Sequence, residues 1–195
     1  MNKNSDIYAF AFRGILAEEA LDKTARLTHV GLSSIALNQE VLKRLPIESL
    51  DESLVARAQR MATVYLAIAA FENSVREFVS KRLLDAKQEQ WWDNSVPESV
   101  QKKAKIRQEE EKKFRWHGSR GTSQINYIDF GELFSIINLN WAEFEHHLGK
   151  LEWAKQIFDT LEKSRNVIMH SGDLALEDIE RIGTAIRDWV RQVGA

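Results

Sequence analysis

The chain has 195 residues, a length that suits one domain with a short appendage. Hydrophobic residues make up 44% and charged residues 29% of it, which excludes wholesale disorder. The chain has no cysteine, which excludes disulfides, thiolate metal sites and a cysteine nucleophile. It has no signal-peptide pattern and no apolar run of about 18 residues, so we expect a cytoplasmic protein that does not bind membranes.

Helical patterns cover the first half of the chain. Residues 5–28 and about 32–45 are predicted to be helical, and Pro46 ends the second of these segments. Ser49 and Glu52 have the spacing of a capping box and open a helix of roughly 35 residues. Its apolar seam is predicted from three- and four-residue steps to consist of Leu54, Ala58, Met61, Tyr65, Ile68, Val75 and Val79.

The second half continues the helical pattern after a predicted break at Trp91–Asn94. Ser95 and Glu98 repeat the capping spacing and open a charged helix that extends to about Phe114. A loop is expected at 117–123, because glycine and small polar residues cluster there. Four further helices are expected over about 129–138, 140–148, 150–170 and the segment that contains Ile179 and Trp189. The sequence therefore predicts an all-α fold.

Charge is unevenly distributed along the chain. The net charge is −2, but residues 101–120 contain eight Lys or Arg and three Glu, a local charge of +5. Such a segment can attract RNA, and it can equally be a solvated helix face. Aromatic residues interleaved with cations are typical of single-stranded RNA binders. The candidate RNA-binding residues are Lys102, Lys103, Lys105, Arg115, Trp116 and Arg120.

Two charged residues occupy positions on apolar seams. Glu72 lies between Ile68 and Val75 in the long helix, and Arg165 lies at an apolar step of the helix that begins near residue 150. Because an isolated buried charge is very unfavourable, we expect Glu72 to contact Arg165 or Arg76. A purely structural ion pair, or a seam end that is simply solvated, would also explain a charge at these two positions.

Arg165 also belongs to a compact polar motif with Asn166 and His170. On a helix, Asn166 and His170 share a face, and Arg165 can extend its long side chain toward them. Arginine can neutralise a phosphate, and histidine can transfer protons to or from ribose and leaving-group oxygens. The motif therefore suits RNA cleavage by transesterification, which requires neither a metal nor another cofactor.

These residues resemble the HEPN superfamily, whose motif is R-N-x3-H, here Arg165, Asn166 and His170. The stretch 127–145 and the helix around Glu72 and Arg76 are similar to its Swt-like branch, over roughly residues 52–192. The resemblance implies an antiparallel helical bundle that acts as a metal-independent endoribonuclease in bacterial antiviral defence or as a toxin. It also implies catalytic roles for Arg165, Asn166 and His170, and supporting roles for Glu72 and Arg76.

The resemblance further implies a homodimer in which two motifs form one composite site for RNA, and it allows an antitoxin or a defence-system partner. Several toxin-type members carry a modifiable tyrosine two residues after the histidine. This chain has Gly172 there, so we expect neither that regulation nor a large effect of Gly172→Ala on catalysis. We expect the segment 101–120 to project from the bundle and line the approach to Arg165 and His170.

The expected organisation is one structural unit with two parts. Residues 1–50 form an N-terminal helical extension, and residues 51–195 form the HEPN-like domain with an insertion at about 86–125. One alternative is a non-catalytic HEPN-like module that binds RNA, nucleotides or a protein, and another is a helical scaffold. Glu143 and His147 are spaced as two metal ligands would be, but a third ligand is not evident and a solvated face is favoured.

Overall fold

The computed structural model describes residues 39–194. The helix expected over 5–28 and the first part of the one expected over 32–45 lie outside the described residues, whereas residues 39–44 are helical. The chain divides between Val55 and Ala56 into two compact units. In the first unit, a 3-10 turn at Ile47–Ser49 precedes the long helix.

From residue 52 onward the described chain folds into seven α-helices, and no β-strand occurs in residues 39–194. The prediction of an all-α fold is confirmed. The helices are α1 (Glu52–Lys87), α2 (Trp91–Ser95), α3 (Glu98–Lys112), α4 (Phe130–Leu139), α5 (Trp141–Leu148), α6 (Leu151–Met169) and α7 (Leu176–Val193). Within the described part of the chain, no helix is both long and apolar enough to span a bilayer.

The N-terminus of α1 differs from the predicted capping box. Asp51, not Ser49, caps the helix, because Asp51 Oδ1 accepts hydrogen bonds from the N–H groups of Ser53 and Leu54 at 3.0 and 3.2 Å. Hydrogen bonds from the Ser53 hydroxyl and from the Leu54 and Ser53 N–H groups lower the pKa of Asp51. Ser49 ends the preceding 3-10 turn instead.

The chain between α1 and α3 also differs from the prediction. The long helix ends at Lys87, and Gln88, which has a φ of +62°, begins a 3-10 turn at Gln88–Gln90. Trp91–Asn94 forms most of the short helix α2 rather than a break. Ser95 is the buried last residue of α2 and does not cap α3, which follows Pro97. Proline is suited to a helix start because its φ is already close to the helical value.

The buried face of α1 differs from the predicted seam. From Met61 to Leu83 it follows the 3.6-residue period, whereas the predicted seam positions Leu54, Ala58 and Tyr65 are exposed. Alternating three- and four-residue steps repeat every seven residues and therefore drift around a straight helix. The buried residues of α1 are Met61, Val64, Ile68, Phe71, Glu72, Val75, Val79 and Leu83.

The core is an antiparallel bundle in which α6 packs against α4, α5 and α7. Aromatic rings connect these helices: Phe130 of α4 stacks on Phe158 of α6 with centroids 4.6 Å apart, and Trp189 of α7 meets Phe71 of α1 at 5.6 Å. Trp153 and Trp189 stack as well. These contacts fix the position of α6, the helix that carries Arg165.

Candidate functional site

The motif lies at the C-terminal end of α6. Arg165 and Asn166 are in its last turns, and His170 is the residue at its C-cap. The N–H of Ser171 donates to the Ile168 carbonyl at 2.9 Å, and the N–H of Gly172 donates to the Val167 carbonyl at 2.8 Å. This pair of bonds is the Schellman arrangement, and it uses Ser171 in the left-handed region, with a φ of +59°.

The helix end presents Asn166 and His170 to solvent, and both residues are exposed. The loop that follows is held to α1 by an ion pair between Arg60 and Asp173. The histidine imidazole is thus placed on an open surface next to a fixed helix terminus, where a large ligand such as a nucleic acid has access.

Gly172 is required by this helix end. A Cβ at this position would lie 2.8 Å from the carbonyl oxygen of Val167 and 2.7 Å from its Cγ1. The Val167 carbonyl is part of the helix backbone, so it cannot shift away from this Cβ as the end of a flexible side chain could. This geometry argues against the expectation that Gly172→Ala has little effect on catalysis, because the new Cβ would displace the turn that carries His170.

Glu72, Arg76 and Arg165 meet as the sequence predicted. Arg165 Nε lies 3.3 Å from Glu72 Oε2, and an Arg76 Nη atom donates to Glu72 Oε1. The Glu72 side chain is 10% exposed, that of Arg76 12% and that of Arg165 24%. One carboxylate thus pairs with two guanidinium groups near the core. The Arg165 N–H is poorly aligned with the carboxylate, so this contact is electrostatic rather than a good hydrogen bond.

Arg76 connects this cluster to the segment before α4. Its guanidinium donates to the carbonyls of Ile125 and Ile128 at 3.1 to 3.2 Å. Ile125 lies in the 3-10 turn Gln124–Tyr127 and Ile128 follows that turn; both residues are buried, so the arginine satisfies buried backbone acceptors. Arg76 is therefore held from two sides, by Glu72 and by the backbone of 125–128.

A second ion-pair cluster lies next to that segment and was not predicted. Arg107 of α3 donates to Glu132 Oε2 at 2.7 Å and to the Tyr127 carbonyl at 2.9 Å, and it also pairs with Asp129. Lys103 lies 3.1 Å from Glu132 Oε1. The spacing of Asp129 and Glu132, a capping box at the start of α4, was the signal that could have revealed part of it.

The charges of this cluster shift two pKa values. Burial tends to raise the pKa of Glu132, but hydrogen bonds from Arg107, from the Asp129 N–H and from Lys103 outweigh it, so the pKa is lowered. The pKa of Arg107 is raised, mainly by its hydrogen bond to Glu132. Both groups are therefore held in their charged forms.

The predicted RNA-binding residues fall into two groups. In α3, Val100 and Ala104 are buried, so the expectation that all of 101–120 projects from the bundle is wrong for its first part. Lys103 pairs with Glu132, and Lys102 pairs with Glu98 at 2.6 Å. The second group, beyond Lys112, lies in an exposed loop and contains Arg115, Trp116 and Arg120. Lys105, also on α3, is exposed.

Glu143 and His147 lie on α5, where Glu143 pairs with Lys87 at 2.9 Å. Burial, together with the charges of Arg82 and His146, lowers the pKa of His147. Within residues 39–194, no three His, Cys, Asp or Glu side chains are grouped so that they could hold a metal ion.

The family assignment follows from the match of the chain to a family model. The Swt1-like HEPN model matches residues 67–194, which include α1 from its middle onward and the whole of α6 and α7. The chain belongs to the Swt1-like HEPN family. Neither a search of curated proteins nor a search of solved structures returned a match.

The matched HEPN region contains every residue of the Glu72 cluster and of the motif, and it also contains α3 and the loop that follows it. The prediction of the HEPN superfamily and its Swt-like branch is confirmed. Membership of this family suggests a ribonuclease-type or nucleotide-binding role.

Proposed function

We propose that this HEPN protein is a metal-independent endoribonuclease that cleaves RNA through attack of a ribose 2′-hydroxyl on the adjacent phosphodiester. The observation that carries the proposal is the position of the R-N-x3-H residues within the matched family region, with His170 exposed at the end of α6 and Arg165 five residues earlier on the same helix, paired with Glu72.

The proposed roles follow from the chemistry of each side chain. Arg165 binds the scissile phosphate and stabilises the negative charge that develops on it, since its guanidinium is permanently charged. His170 removes the 2′-hydroxyl proton or protonates the leaving 5′-oxygen. The 2′-oxygen forms a bond to phosphorus as the bond to the 5′-oxygen breaks, which gives a 2′,3′-cyclic phosphate and a 5′-hydroxyl. Asn166, one turn from His170, positions the imidazole or the substrate.

Glu72 and Arg76 have positioning roles in this proposal. Glu72 contacts Arg165 at 3.3 Å, and Arg76 holds Glu72 while donating to the backbone of 125–128. A guanidinium that is paired on its Nε side has fewer orientations available. The entropic cost of arranging it for a phosphate is therefore lower.

We propose a symmetric homodimer for the active form. One chain supplies one His170, whereas proton removal and proton donation are most simply performed by two groups. An isologous contact would bring two 165–170 segments together. An antitoxin or a defence-system protein would then regulate access to this shared site, in bacterial antiviral defence or in a toxin role.

We also propose the domain organisation on which this arrangement depends. Residues 1–50 form an extension, and residues 51–195 form the catalytic domain, with the charged α3 and its loop as an insertion at about 86–125. The ion pairs of Arg107 with Glu132 and Asp129 support a fixed orientation of the start of that insertion relative to α4.

A cleavage assay on the full chain tests the proposal. In the presence of a chelator, the protein should cut single-stranded RNA and leave DNA intact, with 2′,3′-cyclic phosphate and 5′-hydroxyl ends. His170→Ala should reduce the rate by about 10²–10⁴-fold, whereas His146→Ala, at another exposed histidine, should retain it. Arg165→Lys should also lose activity, because a point charge does not replace the planar fork. 5′-Phosphate ends or an absolute magnesium requirement would contradict the proposal.

The second candidate is a non-catalytic module that binds RNA or nucleotides, or docks to a protein. The burial of Arg165 Nε beside Glu72 favours the non-catalytic module, because the carboxylate partly neutralises the guanidinium and so weakens its attraction for a phosphate. RNA binding without cleavage by the wild-type protein, unchanged in His170→Ala, would support this candidate.

A further inference from the structure

The loop that follows α3, residues 113–121, displays two large aromatic side chains to solvent. Trp116 is 83% exposed and Phe114 is 55% exposed, whereas Trp92 and Trp189 are buried in the core. Exposed apolar surface of this size is unfavourable in water, and neighbouring exposed aromatics indicate an interaction site. We call residues 113–121 the Trp116 loop.

The base of the Trp116 loop is held in place by Glu111. Its carboxylate accepts hydrogen bonds from the Arg120 N–H at 3.2 Å and from the Tyr127 hydroxyl at 2.7 Å. The same hydroxyl lies 3.1 Å from the Gly121 carbonyl. Gly121 has a φ of +147°, and a Cβ there would lie 2.7 Å from Asn126 Cγ. Both ends of the loop are therefore joined to the buried Tyr127.

The tip of the loop is a turn with Arg115 and Trp116 at its centre. The His117 N–H donates to the Phe114 carbonyl at 2.9 Å, which closes the turn around these two residues. The Trp116 and His117 rings meet edge to face, with centroids 5.6 Å apart. The exposed indole thus lies on a hydrogen-bonded turn next to the Arg115 guanidinium. The loop therefore loses little conformational entropy when it binds a ligand.

The charge of the loop favours an anionic partner. Residues 112–128 contain Lys112, Lys113, Arg115 and Arg120 and no Asp or Glu. A cavity of about 300 Å³ opens beside the turn, and it is lined by Arg107, Phe114, Trp116, His117 and Arg120 together with Glu110 and Glu111. Flat aromatic faces next to cations bind successive bases and phosphates of a single strand.

We propose that the Trp116 loop is a docking arm for single-stranded RNA, with a base stacked on Trp116 and phosphates bound by Arg115 and Lys113. The inference rests on the proposed function in one respect only, that the strand held by the arm is the substrate. Stacking is tolerant of base identity, so the arm contributes affinity and placement rather than sequence selection.

The test uses the full chain and a 2′-O-methyl oligouridine labelled with a fluorophore, which transesterification cannot cleave. Fluorescence anisotropy should show that Trp116→Ala weakens binding on the order of tenfold and that Trp116→Phe retains most of it. Arg115→Ala should reduce the slope of log affinity against log salt by about 0.7. Lys155→Ala on α6 and Leu66→Ala on α1 are the matched charge and apolar controls and should bind as wild type does.

The outcomes separate this inference from the proposed function. If wild type cleaves RNA but Trp116→Ala binds the oligouridine as wild type does, the docking arm is wrong and the endoribonuclease stands. If binding depends on Trp116 but no RNA is cleaved, the arm stands and the catalytic proposal fails. If wild type does not bind the oligouridine even at low salt, the arm is overturned and the exposed aromatics face a partner of another class. Because Trp116 is exposed, its variants should melt as wild type does.

Discussion

Arg165 Nε lies 3.3 Å from Glu72 Oε2, a contact that joins the motif helix α6 to the middle of the long helix α1. Glu72 also pairs with Arg76 one turn further along α1. This arrangement makes the carboxylate the centre of the cluster, since it neutralises two cations that would otherwise lie near the core with reduced solvation.

Replacing Glu72 should therefore destabilise the protein strongly. We expect Glu72→Ala to lower the free energy of unfolding by about 3 kcal/mol, because it leaves two guanidinium groups without their shared carboxylate. Urea denaturation measures this change. Glu77→Ala, at an exposed position on the same helix, should change stability by less than about 0.5 kcal/mol.

A double-mutant cycle tests whether Glu72 and Arg165 are coupled. Glu72→Ala with Arg165→Ala should cost less than the sum of the two single changes, with a coupling of about 1–3 kcal/mol. Simple additivity would show that the 3.3 Å contact contributes no energy to the fold.

The turn after α6 should respond in opposite directions to two neighbouring substitutions. Ser171 has a φ of +59°, so Ser171→Gly should stabilise the protein by up to about 1 kcal/mol by relieving the left-handed conformation. Gly172→Ala should destabilise it by about 1–2 kcal/mol, because the new Cβ meets the Val167 carbonyl. Thermal melts of the two variants measure both effects, and a Gly172→Ala variant that melts as wild type does would contradict the described turn.

The Glu132 cluster should make stability depend on pH. The pKa of Glu132 is lowered in the folded protein, so its stabilisation is complete above the unfolded-state pKa of about 4.3 and is lost as pH falls through the lower folded-state pKa. Glu132→Gln should cost about 2 kcal/mol at pH 7, and the difference from wild type should shrink below about pH 4. Denaturation at pH 7 and at pH 3 measures it. A difference that is constant over this range would mean that the charge of Glu132 is not involved.

Light scattering tests the proposed assembly. At micromolar concentration the full chain should have the mass of a dimer, and cleavage should decline on dilution as the dimer dissociates. A mixture of inactive His170→Ala and Arg165→Ala chains, each shown to be folded, should recover activity if a composite site draws different residues from each chain. A monomeric mass with full activity would contradict the dimer.

Much of the fold was determined by the sequence alone, because helical periodicity and few breakers act locally. The pattern predicted α1, α4, α5 and α6 to within about two residues of their observed ends. A charge on an apolar seam predicted the Glu72 contact, because its burial requires a partner wherever the helices pack.

The tertiary structure alone decided the helix caps, the ion-pair partners and the exposure of individual aromatic side chains, because these depend on contacts between distant residues. Ser49 and Ser95 have the spacing of caps, but Asp51 and Pro97 occupy the cap positions because turns upstream set where each helix starts. The sequence places Arg107 in a basic segment, whereas in the fold it forms an ion pair with Glu132. Trp116 belongs to the same basic segment, yet in the fold it is exposed at the tip of a hydrogen-bonded turn. Local patterns fix the helices, whereas the use of each charge and each indole depends on contacts between residues distant in the chain.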